Sequence, residues 1–138
     1  MNYYTGSRRK LLRAWIAAAT FFALFTAGAA QAMEVSIDVA PRVLNIQSDG
    51  QVVTIHTSLV YEDVDVATVY LNGVAIASWK EDNRGYFVAK FLMEDIKGLP
   101  LMIDEYNMLT LVGITYDREA FWGEQEIMVI NVIPVGRE

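Results

Sequence analysis

The residues with the clearest chemical potential are three carboxylates in one short stretch, Glu62, Asp63 and Asp65. Calcium takes six to eight oxygens at roughly 2.3–2.6 Å, and these three with neighbouring carbonyls offer several. Asp82 and Asn83 make a weaker second cluster. No D-x-[DN]-x-[DN]-G run is present, so neither has EF-hand spacing. Solvated loop charge is the competing reading of both. Two carboxylates held about 5–10 Å apart in a cleft also serve glycoside hydrolysis, which makes a small hydrolase a further alternative. A chain of this length leaves little room for such a cleft.

His56 is the only histidine. A catalytic histidine needs a substrate proton or nucleophile within hydrogen-bond reach and an orienting carboxylate. No spacing supplies that set, and no G-x-S-x-G elbow occurs. We therefore expect a strand histidine that is hydrogen-bonded within the fold or faces solvent, and no enzyme. The chain has no cysteine, which excludes disulfides, thiol chemistry and zinc–thiolate sites. Aromatic residues are the remaining candidates, as a partner surface or a carbohydrate platform: Tyr70, Trp79, Tyr106, Tyr116, Phe121 and Trp122 among them. Phe121 and Trp122 are adjacent beside a turn, and neighbours in a strand point to opposite faces. One of the two rings is therefore expected outside, as a contact residue, and Trp79 is a second candidate.

The elements that must hold these residues are strands. Asn72-Gly73 sits between two alternating apolar runs, the strongest short-range signal for a two-residue hairpin turn. That turn predicts Leu71 opposite Val74, Val69 opposite Ile76 and Ala67 opposite Ser78 on one face. Tyr70–Ala75, Thr68–Ala77 and Val66–Trp79 take the other. Val35–Val39 alternates and ends at Pro41, so it reads as an edge strand. Val53, Ile55, Thr57 and Leu59 form the buried side of a strand over 51–59. Tyr86 to Met93, Met108 to Tyr116 and Glu126 to Ile133 complete the set, with at most one helical turn at Glu94 to Ile96. About seven short strands with punctuation between them predict an all-β antiparallel sandwich.

Ahead of this lies a different composition. Ser7-Arg8-Arg9-Lys10 and Arg13 are basic, Ala14 to Ala30 is an apolar run, and Ala30-Gln31-Ala32 is an A-x-A site. That order is a secretory signal peptide over residues 1–32, cleaved after Ala32, with one domain over 33–138. The same apolar run is at the lower limit for a membrane span. Ser7 to Arg13 also fits the twin-arginine pattern, which leaves the export route open. Removing the leader leaves seven basic against seventeen acidic residues, a net charge of −10. Nucleic acid and anionic lipid both require a basic footprint, so neither is an expected partner.

Pro41 to Gly50 (PRVLNIQSDG), Asp65 to Val74 (DVATVYLNGV) and the stretch from Leu109 to Val132 resemble recurring segments of a family of small exported immunoglobulin-like β-sandwich accessory modules. The resemblance implies an immunoglobulin-like sandwich in the periplasm or outside the cell. It also implies a non-enzymatic role, in contact with a protein partner or as a structural envelope unit. A carbohydrate- or calcium-binding accessory module is the alternative. Two departures stand out. The acidic loop of that family is here Glu81-Asp82-Asn83-Arg84-Gly85, with an arginine where an oxygen ligand would sit. The turn after Tyr116 carries Asp117-Arg118 in place of Asp-Gly, which implies a different turn type.

Overall fold

Apolar residues at every second position are what shape this chain, since alternation gives a strand one face to bury and one to leave in water. In the computed structural model the chain divides into two units, Met1–Ala32 and Met33–Glu138, and residues 32–135 are described. The expected leader and Ala30 lie outside the described residues, and Ala32 is the first of them. The described strands are β1 (Met33–Glu34), β2 (Ile37–Ala40), β3 (Val43–Asn45), β4 (Val52–Val60), β5 (Val64–Leu71) and β6 (Val74–Ala75). They continue with β7 (Ser78–Glu81), β8 (Tyr86–Leu92), β9 (Glu105–Thr115) and β10 (Ala120–Ile130). A 3-10 turn, Tyr61–Asp63, precedes β5, and a short helix α1, Met93–Lys97, follows β8.

The strands form two sheets, so the chain is an all-β sandwich. The larger has the order β1-β10-β9-β5-β6, with β3 also pairing β10; the smaller has the order β2-β4-β8-β7. Between them lies one core. Val53, Ile55 and Leu59 of β4 with Phe87, Ala89 and Phe91 of β8 come from the smaller sheet. Val69, Leu71, Leu109, Leu111, Ile127 and Val129 come from the larger. Burying each branched or aromatic side chain stabilises the fold by about 1.5–3 kcal/mol. Thr57 occupies an inward position without leaving a polar atom stranded, because its hydroxyl donates to the Phe87 carbonyl at 2.7 Å.

The Asn72-Gly73 turn is present, with φ of 47° and 82°, and Leu71 pairs with Val74 and Tyr70 with Ala75. The hairpin expected beyond it reaches one pair further, the Ile76 amide donating to the Val69 carbonyl at 3.3 Å, and stops there. The Ala77 amide donates to the Lys90 carbonyl in the other sheet, and Ser78–Glu81 then pairs with β8, setting Trp79 beside Ala89 rather than Val66. All four residues of β7 are exposed, so no buried side chain ties them to the larger sheet and the ladder with β8 decides. The first strand is divided in the same way. The Val35 amide donates to Trp122 of the larger sheet, whereas the Ser58 amide donates to the Ser36 carbonyl in the smaller. Both halves lie at sheet edges, as the terminal proline suggests. Ala40–Pro41 is a cis peptide at the point where the chain leaves β2 for β3.

The helical turn expected at Glu94 to Ile96 is α1, which buries Met93 and Ile96. The turn after Tyr116 departs from expectation. Arg118 adopts φ of 64°, the left-handed conformation a glycine would supply, while its amide donates to the Thr115 carbonyl at 2.9 Å. The sequence Asp-Arg therefore carries strain in a turn that already suits glycine, rather than avoiding the conformation.

Two substitutions test this packing. A Cβ added at Gly113 would lie 2.4 Å from Phe121 Cζ, so Gly113→Ala should destabilise by about 1–3 kcal/mol through overpacking. Arg118→Gly should stabilise by about 1 kcal/mol by relieving the left-handed conformation. Denaturant melts read both, and equal stability of all three proteins would contradict the geometry.

Candidate functional site

The sequence candidates do not converge. Glu62 and Asp63 are exposed in the 3-10 turn, while Asp65 is half-buried on β5. The backbone of this segment is tied down instead: the Tyr116 amide donates to the Asp63 carbonyl at 2.8 Å and the Thr68 hydroxyl to the Asp65 carbonyl at 2.6 Å. Among the described residues, no group of three or more His, Asp or Glu is placed to hold a metal ion. Trp79 is 45% exposed on the edge strand of the smaller sheet, remote in topology from Trp122 on β10. Phe121 is only 2% exposed and belongs to the core, so it is no contact residue. Trp122 is the ring of that pair left half-buried on the outside.

His56 and Asp82 share an open hollow of ≈ 550 Å³ with Ser36, Asp38, Ser58, Arg84 and Tyr86. Its polar groups are mostly occupied with structure. The Asp82 carboxylate accepts the Arg84 amide at 2.8 Å and the Tyr86 amide at 2.9 Å, closing the β7–β8 turn. Asp38 pairs with Arg42 at 2.7 Å. The Ser36 amide donates to the Ser58 hydroxyl. Among the described residues, no hydrogen bond joins His56 to a carboxylate or a hydroxyl, so no acid–base relay is assembled there.

The outer faces of the two sheets differ in charge. In the smaller sheet, Thr54 pairs with Lys90 and Lys90 with Ser78, and His56 pairs with Asp38. The same face also carries Val88, which is covered, and Leu92, which is exposed, so it is mixed and bears charge. In the larger sheet, Asn107, Leu109, Leu111, Gly113 and Thr115 of β9 turn inward and are buried. Alternation therefore sends Tyr106, Met108, Thr110, Val112 and Ile114 outward, with Tyr116 just past the strand end. This row contains no charge. Tyr106 is 63% exposed, Tyr116 67%, and Met108, Val112 and Ile114 between 41% and 43%. Across the strands, Val112 pairs with Trp122 on one side and with Tyr70 on the other, and Tyr106 pairs with Met128. Glu124 and Glu126, opposite Thr110 and Met108, border the row on β10.

Rigid elements hold this face. The Asn72 side chain works as an extra rung of β9, accepting the Thr110 amide at 2.7 Å and donating to the Met108 carbonyl at 3.1 Å. Asn107 ties the preceding loop through Met102 and Glu105. The exposed tyrosines stand in the list of aromatic candidates, whereas Met108, Val112 and Ile114 do not. Their signal is the absence of any charge between Met108 and Tyr116. No family model, curated protein or solved structure matches the chain.

The hollow yields a pH prediction. The Asp82 carboxyl is held below its usual range, chiefly by the Tyr86 amide and then by the Arg84 amide and charge, against an opposing effect of burial. A folded-state pKa below the unfolded value means the unfolded chain binds the extra proton. Stability from this group is then present above about pH 4 and lost as pH falls through the folded pKa. Melting temperature should drop on acidification, and part of that drop should vanish in Asp82→Asn. An unchanged acid limb in Asp82→Asn would remove this role.

Proposed function

We propose that the chain is an exported, non-enzymatic, immunoglobulin-like sandwich that works by protein contact through the outer face of its larger sheet. The strand order supports the immunoglobulin-like reading. The smaller sheet runs β2-β4-β8-β7, the larger runs β3-β10-β9-β5-β6, and the first strand is shared between them. That order resembles a sandwich of a four-stranded and a three-stranded sheet, with β6 added beside β5 and the short β1 and β3 beside β10. Export rests on the leader pattern of residues 1–32.

The observation that carries the contact reading is the uncharged row on β9. Residues 33–138 hold seven basic and seventeen acidic side chains, yet none falls in the outward row from Tyr106 to Tyr116. An exposed apolar patch of several hundred Å² marks an interaction site more often than chance exposure does. Tyrosine is moreover enriched in interfaces because it combines large apolar area with a polar tip. The three exposed tyrosines, Tyr70, Tyr106 and Tyr116, also favour a second reading, a flat carbohydrate platform.

A photo-crosslinking residue in place of Met108, introduced in the producing cell, should form protein adducts. The same residue in place of Thr54, on the charge-bearing outer face of the smaller sheet, should form none. Absence of adducts from Met108, or equal yield from both positions, would overturn the reading. Quenching of tryptophan emission by a polysaccharide, lost on Tyr106→Ala, would move the assignment to the carbohydrate platform.

A further inference from the structure

The contact row has a pattern of its own. Read outward along β9 it runs Tyr106, Met108, Thr110, Val112, Ile114, Tyr116, a sequence of sizes that is nearly the same from either end. Large rings stand at both ends, long aliphatic chains come next, and small residues lie in the middle. A two-fold interface requires that if residue i meets residue j, then j meets i, and such a row meets its own reversed copy like against like, rings on rings at the ends and uncharged side chains on uncharged ones between.

We propose that this face closes on a second copy of the chain, as a two-fold dimer in which the two β9 strands cross in opposite directions. This rests on the contact reading above and names its partner. With the axis passing at Leu111, Tyr106 of each copy meets Tyr116 of the other, Met108 meets Ile114, and Thr110 meets Val112. The same operation carries Gly123, the partner of Leu111, onto its own copy. Glu124 then faces Trp122 and Glu126 faces Ala120, so the acids bordering the row do not oppose each other. It also brings the Arg118 end of one row over the Asp104–Glu105 end of the other. Strands aligned in the same direction would instead set Asp104 against Asp104 and Arg118 against Arg118.

Area agrees with a reversible dimer. Tyr70, Tyr106 and Tyr116 leave about 350 Å² of ring surface in water, taking roughly 200 Å² per aromatic side chain; 41%, 63% and 67% of each residue is exposed. Met108, Val112 and Ile114 bring the face to about 550 Å², and two copies would bury about 1,100 Å² together. Specific interfaces begin near that size, and obligate dimers need about twice as much. Charge points the same way. Two acidic domains repel, and an uncharged row is where their surfaces approach at least electrostatic cost. Raising salt should therefore tighten this dimer by screening the repulsion, whereas an interface of ion pairs would loosen.

Among the described residues the core runs from Val35 to Val129, within the compact unit Met33–Glu138, so residues 33–138 serve for the test. Sedimentation equilibrium should show monomer and dimer exchanging in the micromolar range, with more dimer at higher salt. Met108→Lys and Ile114→Glu should each weaken association about tenfold or more, as central interface changes do. Mixed in equal amounts, the two variants should associate more tightly than either alone, because the crossing places position 108 of one copy against position 114 of the other. Melting curves control for folding, which neither exposed position should disturb. A chain that stays monomeric up to about 1 mM overturns the dimer. In that case adducts from the Met108 crosslinker to a different protein would still support the contact reading, and their absence would end it as well. Dimers indifferent to both variants, or single variants that weaken without recovery in the mixture, overturn this face or this crossing.

Discussion

Contact between the two inner faces holds everything else in place, because nothing covalent does. With no cysteine in the chain, the sheets are joined by apolar burial and a few polar ties. Phe87 and Phe91 from the smaller sheet and Phe121 from the larger are among the largest fully buried side chains. Phe121 fits only because Gly113 on the neighbouring strand presents no Cβ beneath it. Gly123 makes the matching allowance at the edge, where an added Cβ would lie 2.6 Å from the Val35 carbonyl oxygen. The outward row of β9 is flat and fixed because its inward row is packed this tightly. The site is a consequence of the core on its other side.

Polar side chains do the joining where the ladder runs out. The Val39 amide, on an edge strand of the smaller sheet, donates to the Gln125 side chain of β10 at 2.6 Å, which links the sheets across the open edge. Asn45 donates to the Val132 carbonyl and accepts the Val132 amide, and so anchors the chain beyond β10. Asn72 and Asn107 do the same for β9. An amide side chain presents a donor and an acceptor together, so it can stand in for a missing strand residue. Four such residues occupy ends and edges, the places where backbone groups would otherwise lack partners.

Much of the architecture is legible in the alternation, and its failures have one cause. Val53, Ile55, Thr57 and Leu59 are buried as their spacing predicts, and the Asn-Gly turn closes where its φ requirement places it. Periodicity records which face a residue takes within a strand, but not which sheet the strand joins. Val35 and Val39 are both buried in unbroken alternation, although the chain changes sheets between them. The run from Leu71 to Trp79 conceals the same change. Nor does any pattern announce that Asn72 reaches the backbone of β9, since an Asn-Gly turn needs the asparagine for its backbone alone. The acids carry structural work that spacing does not announce. Asp82 resembles a ligand in sequence, but its oxygen already receives two backbone amides.

The β9 segment shows how an exposed apolar surface can hide inside a structural signal. A run without charge on either face, as from Met108 to Tyr116, reads as one covered on both sides, as in the middle of a layered sheet. Here β9 is central within its own sheet, flanked by β10 and β5, yet a second layer covers only one of its faces. The residues that a buried strand would spend on a second layer are left in water. A sheet face open to water usually carries charge, and this chain has charge to spare, with seventeen acids over residues 33–138. Those acids lie around the row and not in it. Such an arrangement opposes contact by net repulsion everywhere except at an uncharged face, where the proposed association would meet least electrostatic cost. Selection for solubility alone would have no reason to spare those six positions.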